Sequence, residues 1–330
     1  FNVVLPTMLA HASPEVRQRF IPPMLRGEEI WCQFLSEPSG GSDLAGLLTT
    51  ATRDGDTWVI NGQKVWTTGA NHSDYAVCLA RTDPEVPKHA GLTMFAVPVR
   101  GHGVTVVPLQ LLDGSVDFCQ EYLDDVVIPA EHTIGAVNDG WRVATTLMTN
   151  ERAAVGRGWM LSTAGRPTRA TSTPAIQLSH ELVQLATAQG RMQDPDVRAL
   201  IGQSWVIATV QAQTVQRVAD AMRAGKLPGH AAAIPKLLSG VAAMLQGDLA
   251  VAVAGAAAAA WPITDESGSQ AGMARVASHG IGGGTNEMQR NAIAERLLGL
   301  PREPSTDRQV PFNQLRQNTT PASSAEASKS

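Results

Sequence analysis

A carboxylate and a guanidinium stand side by side in an otherwise apolar stretch of the sequence, at Glu151 and Arg152. The stretch has helical periodicity over residues 141–159, which predicts that both side chains belong to one long helix. A carboxylate buried there without a partner would be costly, so Glu151 is expected to be paired or used in chemistry. An intrahelical pair with Arg152 and a solvated position are the alternatives that the spacing leaves open.

The segment SEPSGGSD at residues 36–43 combines hydroxyl groups, two glycines and two acids. Gly40 and Gly41 leave the backbone open, and the hydroxyls of Ser36 and Ser42 could cradle a phosphate or a polar ring. An irregular capping turn would have the same composition. Binding and turn interpretations therefore both stay open for this segment.

A tryptophan and two threonines follow in the sequence VWTTGA at residues 65–70. Trp66 offers a flat ring face, while Thr67 and Thr68 offer hydroxyl and backbone donors. Together these groups would suit a planar heterocycle. Ordinary core or surface residues of a strand would look the same.

Four glycines precede a predicted helix in the sequence GIGGGTNEMQR at residues 280–290. The dinucleotide-binding pattern G-x-G-x-x-G fails because Thr285 occupies the position of the last glycine, and no strand pattern precedes it. A glycine-rich turn at a helix start is still suited to an anion or a polar ligand. The eight histidines lie in no metal-ligand spacing and no G-x-S-x-G sequence occurs, so metal and serine-hydrolase chemistry are not indicated.

Composition limits the kind of molecule that positions these groups. The 330 residues are 43% hydrophobic and 17% charged, enough apolar material for a large core in two or three domains. The formal net charge of -4 and the lack of Lys/Arg blocks do not indicate a nucleic-acid or anionic membrane partner. Three cysteines without a C-x-x-C pair favour buried thiols in a reducing compartment, so we expect a cytoplasmic location. We expect no membrane span, and we interpret residues 249–261 as a buried helix.

The chain pattern predicts an α+β multidomain protein with a central antiparallel β domain followed by a helical bundle. Short strand-like runs punctuated by Gly, Pro and Asp favour antiparallel hairpins over residues 31–137. Within them, Asn61 and Gly62 predict a tight type I′ hairpin turn. The remaining runs are Ala76–Ala80, Leu92–Val99, Val104–Leu109 and Glu121–Ile128.

Helical periodicity flanks the β domain on both sides. Residues 1–30 are predicted to end a helical region, with Ser13 and Pro14 starting its last helix. Residues 138–302 are predicted to form a four-helix bundle, and small polar residues predict a disordered tail over 303–330. The predicted bundle helices are Trp141–Trp159, Val197–Met222, about Lys236–Val253 with Leu245 on its apolar face, and Asn286–Leu298.

Four segments occur in one order and at one spacing, and together they resemble one enzyme family. They are WCQFLSEPSGGSDLAG, DGDTWVINGQKVWTTGA, DGWRVATTLMTNERAAVGRG and GGGTNEMQRNAIAERLLGLPRE. The set is similar to the acyl-CoA dehydrogenases, flavoproteins with an N-terminal helical domain, a central β domain and a C-terminal four-helix bundle. The resemblance covers about residues 1–303, and it implies that most of the N-terminal helical domain is absent ahead of Phe1.

The resemblance implies a non-covalently held FAD. Thr68 would lie near flavin N5, and Arg198 is expected at the ADP end because the family's usual contacts there are replaced in this sequence. The other implied FAD contacts are Gln33, Leu35, Ser36, Ser42, Trp66, Thr67, Thr285 and Glu287. The implied substrate contacts are Ser42, Thr149, Arg152, Gly283 and Gly284.

The implied reaction is α,β-dehydrogenation of an acyl-CoA thioester. A carboxylate removes the α proton while the β hydrogen leaves as hydride to flavin N5. Many members place the catalytic Glu where Gly283 stands here, whereas a minority, including the long-chain and isovaleryl enzymes, place it directly before the helix arginine. Glu151 occupies that second position and is the implied base, and the backbone N–H of Gly283 would bind the thioester carbonyl.

The resemblance also implies partners. We expect electron-transfer flavoprotein as electron acceptor, a role in fatty acid β-oxidation, and a homo- or hetero-oligomer, either a dimer or a tetramer. Two alternatives stay open: a non-catalytic partner subunit of a hetero-oligomer, and a flavin oxidase or monooxygenase on the same fold. Glu151 favours catalysis, whereas the replaced FAD contacts favour the partner subunit.

Overall fold

The structure is a computed structural model that describes residues 2–111, 115–155, 174–259, 279–305 and 307–315. Two helices come first, a β-sheet domain follows and a helical region comes last, which confirms the predicted α+β architecture. The strands are β1 Trp31–Phe34, β2 Thr50–Asp54, β3 Thr57–Thr68, β4 Tyr75–Arg81, β5 Leu92–Pro98, β6 Val104–Leu109, β7 Phe118–Pro129 and β8 Thr133–Ile134. The described helices are α1 Val4–His11, α2 Pro14–Arg26, α3 Gly140–Val155, α4 Pro174–Ala188, α5 Pro195–Arg223, α6 Ala233–Ala254 and α7 Asn286–Arg296.

The strands form one eight-stranded sheet in the order β6-β7-β3-β2-β4-β5-β8, with β1 beside β4. Most neighbours are antiparallel, as predicted, but β4 pairs in parallel with both β1 and β2. The predicted antiparallel domain is therefore confirmed for most of the sheet, and the two parallel pairings of β4 depart from it. Short strand spacing indicates hairpins between neighbours in sequence, and it carries no information about strands that pair across an intervening segment.

Asn61 and Gly62 lie inside β3 and not in a turn, so the predicted hairpin at this dipeptide is wrong. The chain turns instead at Gly55, where φ is 54°. The Asn61 side chain faces β7 and exchanges hydrogen bonds with Asp125, at 3.0 and 2.8 Å. A Cβ on Gly62 would lie 2.7 Å from Thr49 Cα, so this glycine permits a close approach of two backbones.

The sheet buries a hydrophobic layer on each face. One layer includes Met8 of α1 and Phe20 of α2, so these helices cover one side of the sheet together with α3. The opposite layer contains Cys32, Cys78 and Cys119 as buried free thiols, as the cysteine count predicts.

The N-terminus of α2 is capped as the sequence predicts. Val16 N donates to Ser13 Oγ at 3.3 Å, and Pro14 occupies the first helical position. A Ser-Pro pair has this capping effect because the hydroxyl accepts an unpaired N–H and proline has none to satisfy. The cap fixes the start of the helix that covers the sheet.

The helical region differs from its prediction in two respects. Helix α4 was not predicted, and it packs against α5 and α6 around Leu182, Val197 and Val253. The buried face of α6 matches its prediction only in part, because Leu249 and Val253 are buried as expected while Leu245 is exposed and Lys236 is buried. Small residues such as alanine make that face, and they give little periodic signal. The end of the predicted first bundle helix, after Val155, lies outside the described residues.

Segment Gly229–Ala258, which contains α6, is long and apolar enough to cross a membrane by length and composition. The expectation that the chain has no membrane span stays a prediction, because length and composition alone do not decide it. Half of its most apolar window is buried, and α6 packs against α4 and α5. A core helix of a globular domain has the same properties.

Residues 307–315 form a C-terminal strap that packs back onto the β domain. Phe312 is 5% exposed, and its ring centre lies 3.4 Å from Cζ of Arg81 on β4. Lys88 Nζ binds an Asp307 carboxylate oxygen at 2.7 Å. The prediction of a disordered tail is therefore wrong for these residues. An aromatic anchor, an ion pair and two backbone hydrogen bonds, from Phe312 N to Val86 O and from Asn313 N to Pro84 O, hold the strap. The rest of the predicted tail lies outside the described residues.

Candidate active site

The ends of β1 and β3 lie side by side and bring two of the predicted FAD-binding segments together. Val65 N donates to Ser36 O at 2.9 Å. The Thr67 hydroxyl lies 3.3 Å from Gln33 O and can donate to it. Residues 33–36 thus form the edge of a surface whose neighbouring wall is the end of β3.

Trp66 occupies a β-bulge at the end of β3. Its φ is 65°, and the register between β3 and β7 shifts between Val65 and Thr67. A bulge changes the direction in which side chains point. Trp66 is 58% exposed and Thr68 is exposed, while Thr67 between them is 3% exposed. The bulge therefore presents an indole face and a hydroxyl together, while the Thr67 side chain faces the core.

A buried ion pair that the sequence reasoning missed holds the loop after β1. Glu37 Oε1 and Lys64 Nζ lie 2.9 Å apart, and both side chains are almost fully buried. The Glu37 carboxylate also accepts from the backbone N–H groups of Leu48 and Thr49, at 2.6 and 2.9 Å. Burial alone would raise the pKa of Glu37, but Lys64 and these donors hold it below its usual value. The alternation that places Lys64 on the core side of β3 was the available signal.

The same loop carries the two predicted serines. Residues 37 and 40 close a tight turn, with N–H to carbonyl distances of 3.2 and 3.0 Å. A Cβ on Gly41 would lie 3.3 Å from Ser36 Oγ, and Ser42 is exposed just beyond it. The turn is therefore a feature of this loop, and the role of its serines in binding stays a prediction.

The second part of the candidate site lies where α3, α6 and α7 meet. The Glu151 side chain is partly buried on α3, and burial raises its pKa against the opposing charges of Arg152 and Lys236. Lys236 is 1% exposed, and its Nζ donates to His279 O at 3.0 Å. Sequence reasoning placed Lys236 on a helix but assigned it no role.

Arg152 points toward the glycine-rich turn. A Cβ on Gly284 would lie 3.9 Å from Arg152 Nη2, and Arg152 Nε is buried with no hydrogen-bond partner among the described residues. Gly283 and Gly284 have φ values of 68° and 86°, a backbone conformation that favours glycine. Gln289 Nε2 donates to both of their carbonyls, at 3.3 and 3.0 Å, and Gln289 is another residue that sequence reasoning missed.

Two further predicted residues, Thr285 and Glu287, lie at the start of α7. Thr285 caps α7 by accepting from Met288 N at 3.2 Å. Glu287 is exposed, and its Oε1 lies 3.3 Å from Nη1 of Arg290 on the same helix.

Two further predicted residues have no contact that supports their expected role. Thr149 donates back to Thr145 O on α3 at 2.8 Å. Arg198 is exposed on α5, and no hydrogen bond or ion pair in the described part of the chain joins its side chain to the other predicted FAD contacts. Both roles stay predictions.

Comparison with known proteins decides the family. The family model described as "Acyl-CoA dehydrogenase, middle domain" matches residues 32–126, and that of the C-terminal domain matches residues 138–298. The acyl-CoA dehydrogenase IpdE1 of Mycobacterium tuberculosis is 37% identical over 307 residues, which cover 90% of this chain and 74% of IpdE1. The chain belongs to the acyl-CoA dehydrogenase family. FadE34 of the same organism, also an acyl-CoA dehydrogenase, is 37% identical over 301 residues, but these span only 39% of its length.

Solved structures of acyl-CoA dehydrogenases share the fold. The Tcur3481-Tcur3483 steroid ACAD superposes with a TM-score of 0.78 at 29% identity, over 92% of this chain and 76% of that one. The ChsE4-ChsE5 complex from Mycobacterium tuberculosis superposes with a TM-score of 0.75 at 29% identity, over 92% and 77%. Each of these two structural neighbours is named as a pair of proteins.

Proposed function

We propose that this acyl-CoA dehydrogenase family member catalyses the FAD-dependent α,β-dehydrogenation of an acyl-CoA, with Glu151 as the base. One observation carries the proposal: burial raises the pKa of Glu151 against the opposing charges of Arg152 and Lys236, whereas Glu287, the other predicted carboxylate of this part, is exposed and paired with Arg290. Arg152, next to Glu151 in the sequence, reaches toward Gly284. A carboxylate whose pKa is raised above its usual value holds a proton more strongly, which suits a general base.

The surface at the ends of β1 and β3 fits a flavin. Trp66 offers an exposed indole face, Thr68 offers an exposed hydroxyl, and the Ser36 loop supplies polar groups along the edge. These are the groups that bind a planar ring with a polar rim. When bound, FAD supplies the acceptor for the hydrogen and electron pair that leave the β carbon. Trp66, Thr68 and the loop would orient that ring and exclude water from one side of it.

The helical part of the candidate site supplies the proton transfer. Glu151 would take the α proton, and the positive charges of Arg152 and Lys236 oppose the rise in its pKa that burial causes. The backbone N–H of Gly283 would donate to the thioester oxygen as negative charge develops there. Gln289 fixes the carbonyls of the same turn, so the donor would be held in place before substrate binds.

Absorbance of the flavin tests this proposal. The full-length protein is loaded with FAD and titrated anaerobically with short-chain, medium-chain, long-chain and steroid side-chain acyl-CoAs, the last because one structural neighbour is named a steroid ACAD. We expect at least one acyl-CoA to bleach the flavin, with colour restored by electron-transfer flavoprotein and only slowly by air. Rapid restoration by air would indicate an oxidase instead.

A second candidate function is a partner subunit of a hetero-oligomer. It is favoured by the naming of both structural neighbours as protein pairs and by exposed valines on α5, Val206 at 62% and Val210 at 50%. The replaced FAD contacts noted in the sequence agree with it. A protein that stays colourless with FAD alone and becomes a yellow, active complex only with a second acyl-CoA dehydrogenase chain would establish this function.

A further inference from the structure

Glu121 is a buried carboxyl group that the proposed reaction does not use. It lies on β7 directly opposite Lys64 of β3, and it is completely buried. Its Oε2 lies 2.8 Å from the Thr67 hydroxyl, and its Oε1 has no hydrogen-bond partner among the described residues. An ionised carboxylate with an unsatisfied oxygen is costly in a protein core.

The surroundings of Glu121 offer no free positive charge among the described residues. Lys64 is the facing cation, but its Nζ is already bound to Glu37 at 2.9 Å and to Leu35 O at 3.0 Å. Two buried carboxyl groups therefore share one lysine, and only Glu37 is in contact with it. The other titratable groups that face Glu121 are three thiols, Cys32 on β1, Cys78 on β4 and Cys119 on β7. Burial raises the pKa of all three, that of Cys32 to about 12 and that of Cys78 to about 11.

Burial raises the pKa of Glu121 to about 7, although the Thr67 hydrogen bond and the charge of Lys64 oppose the shift. Near neutral pH the carboxyl can therefore carry a proton. The neutral form also explains why Oε1 has no hydrogen-bond partner. Burying a neutral carbonyl oxygen without a partner costs far less free energy than burying a charged carboxylate oxygen.

The Thr67 hydroxyl connects Glu121 to the FAD-facing edge. Its oxygen lies 2.8 Å from Glu121 Oε2 and 3.3 Å from Gln33 O, but a hydroxyl has only one hydrogen to donate. If Glu121 is protonated on Oε2, it donates to Thr67, and Thr67 then donates to Gln33 O. If Glu121 is ionised, the Thr67 hydrogen turns to the carboxylate and Gln33 O loses its donor.

We propose that Glu121 is a proton-holding positioning residue whose neutral carboxyl, through Thr67, fastens Gln33 at the end of β1 to the bulge at Trp66. Loss of the proton releases Gln33 and loosens the contact between the two walls of the candidate flavin site. That consequence for FAD rests on the proposed function. The expected result is weaker FAD binding above neutral pH.

Glu121→Gln separates this role from simple space filling, because an amide donates to Thr67 as the neutral carboxyl does but cannot ionise. The first measurement is the thermal midpoint of the FAD-free protein against pH. A raised pKa in the folded state means that stability is full below the unfolded-state pKa and is lost as pH rises toward about 7. We therefore expect the midpoint of wild type to fall between about pH 5 and about pH 7.5, and the fall to be smaller in Glu121→Gln.

Glu131→Gln is the matched control, since Glu131 is exposed in the same domain. It should keep the wild-type pH profile. An unchanged profile in Glu121→Gln would overturn the proposal. If Glu121→Gln does not fold, infrared spectroscopy of wild type decides. We expect wild type to show the carbonyl stretch of a buried neutral carboxyl group. This band should disappear above neutral pH and should shift in frequency in Thr67→Val. Absence of the band would also overturn the proposal.

FAD titration tests the coupling to the flavin site. We expect the Kd for FAD of wild type to rise by about threefold or more between about pH 6 and about pH 8.5, while Glu121→Gln stays nearly constant. Equal pH dependence in both proteins would overturn the coupling. A protein that binds no FAD at any pH would count against the proposed function, and the stability and infrared measurements would still judge the proton on Glu121.

Discussion

Buried charges lie next to the segments that the proposed reaction needs. Glu37 and Lys64 form a pair beneath the loop that would face FAD, and Lys236 faces Glu151 in the helical part. A buried ion pair adds little net stability, because two ions must be removed from water. The Glu37 carboxylate, however, also satisfies two backbone N–H groups, so it determines the path of the loop.

Lys64→Met tests the buried pair. The substitution keeps the apolar stem and leaves Glu37 as an uncompensated buried charge, so we expect a loss of about 3–5 kcal/mol in the free energy of unfolding. Urea unfolding followed by circular dichroism measures it. The double variant Lys64→Met, Glu37→Gln should recover part of the loss, because no lone charge remains. A single variant as stable as wild type would contradict the assigned pairing.

At the scale of elements, strand β3 depends on contacts that a local sequence pattern does not contain. Asn61 and Gly62 have the composition of a hairpin turn, yet the strand continues through them to the bulge at Trp66. Gly62 is needed because Thr49 approaches the backbone at that point. A tertiary contact, not turn chemistry, therefore decides the residue at this position.

Gly62→Ala tests this interpretation. A Cβ would meet the Thr49 backbone at 2.7 Å, so one strand must shift, and we expect a loss of about 1–3 kcal/mol in the free energy of unfolding. Gly202→Ala on α5 is the matched control, because a Cβ there meets no atom within 4 Å. That control should be neutral or stabilising by up to about 1 kcal/mol. Equal effects of the two substitutions would contradict the close approach.

The C-terminal strap is a second element whose position can be tested. In Phe312→Ala the strap loses its aromatic anchor on Arg81, and we expect it to detach locally while the domain stays folded. Hydrogen exchange of residues 307–315 should then speed up by about tenfold or more, and limited proteolysis should cut there first. Gln309→Ala, an exposed position in the same strap, should leave both measurements unchanged. Unchanged exchange in Phe312→Ala would contradict the role of the ring as an anchor and would leave the Lys88 ion pair and the backbone hydrogen bonds to Pro84 and Val86 as the contacts that hold the strap.

Local patterns predicted a large part of this structure. The capped start of α2 at Ser13 and the strands β4 to β7 follow from residue types and alternation alone. Lys236 could not be assigned in this way, because it binds the carbonyl of His279, 43 residues further along the chain. Gln289 binds carbonyls of the turn just before it, a contact that depends on the positive φ values of Gly283 and Gly284. Thr67 was predicted as a flavin contact, whereas its side chain faces the core and Glu121. Such contacts depend on how distant segments meet, and a single sequence does not specify that directly.

At the scale of the whole molecule, two separate parts carry the predicted residues, and α3 connects them. Helix α3 packs on β5 of the sheet and on α1. It is tied to α1 by hydrogen bonds from Asn150 to Thr7 at 3.1 Å and between His11 and Thr146 at 2.7 Å. The position of Glu151 relative to the sheet therefore depends on the packing of this one helix. The chain spans 74% of IpdE1 and 39% of FadE34, so the activity of the whole protein is a proposal that only assays can establish.

The central claim is that Glu151 removes the substrate proton in an FAD-dependent dehydrogenase. It is tested most directly by comparing wild type with Glu151→Gln in anaerobic stopped-flow absorbance, both loaded with FAD and mixed with an acyl-CoA that bleaches wild type. Glu131→Gln, an exposed carboxyl in the β domain, is the control and should behave as wild type. We predict that Glu151→Gln keeps its FAD but bleaches at least about a hundredfold more slowly, because an amide cannot accept the α proton. Bleaching of Glu151→Gln at the wild-type rate would contradict the account.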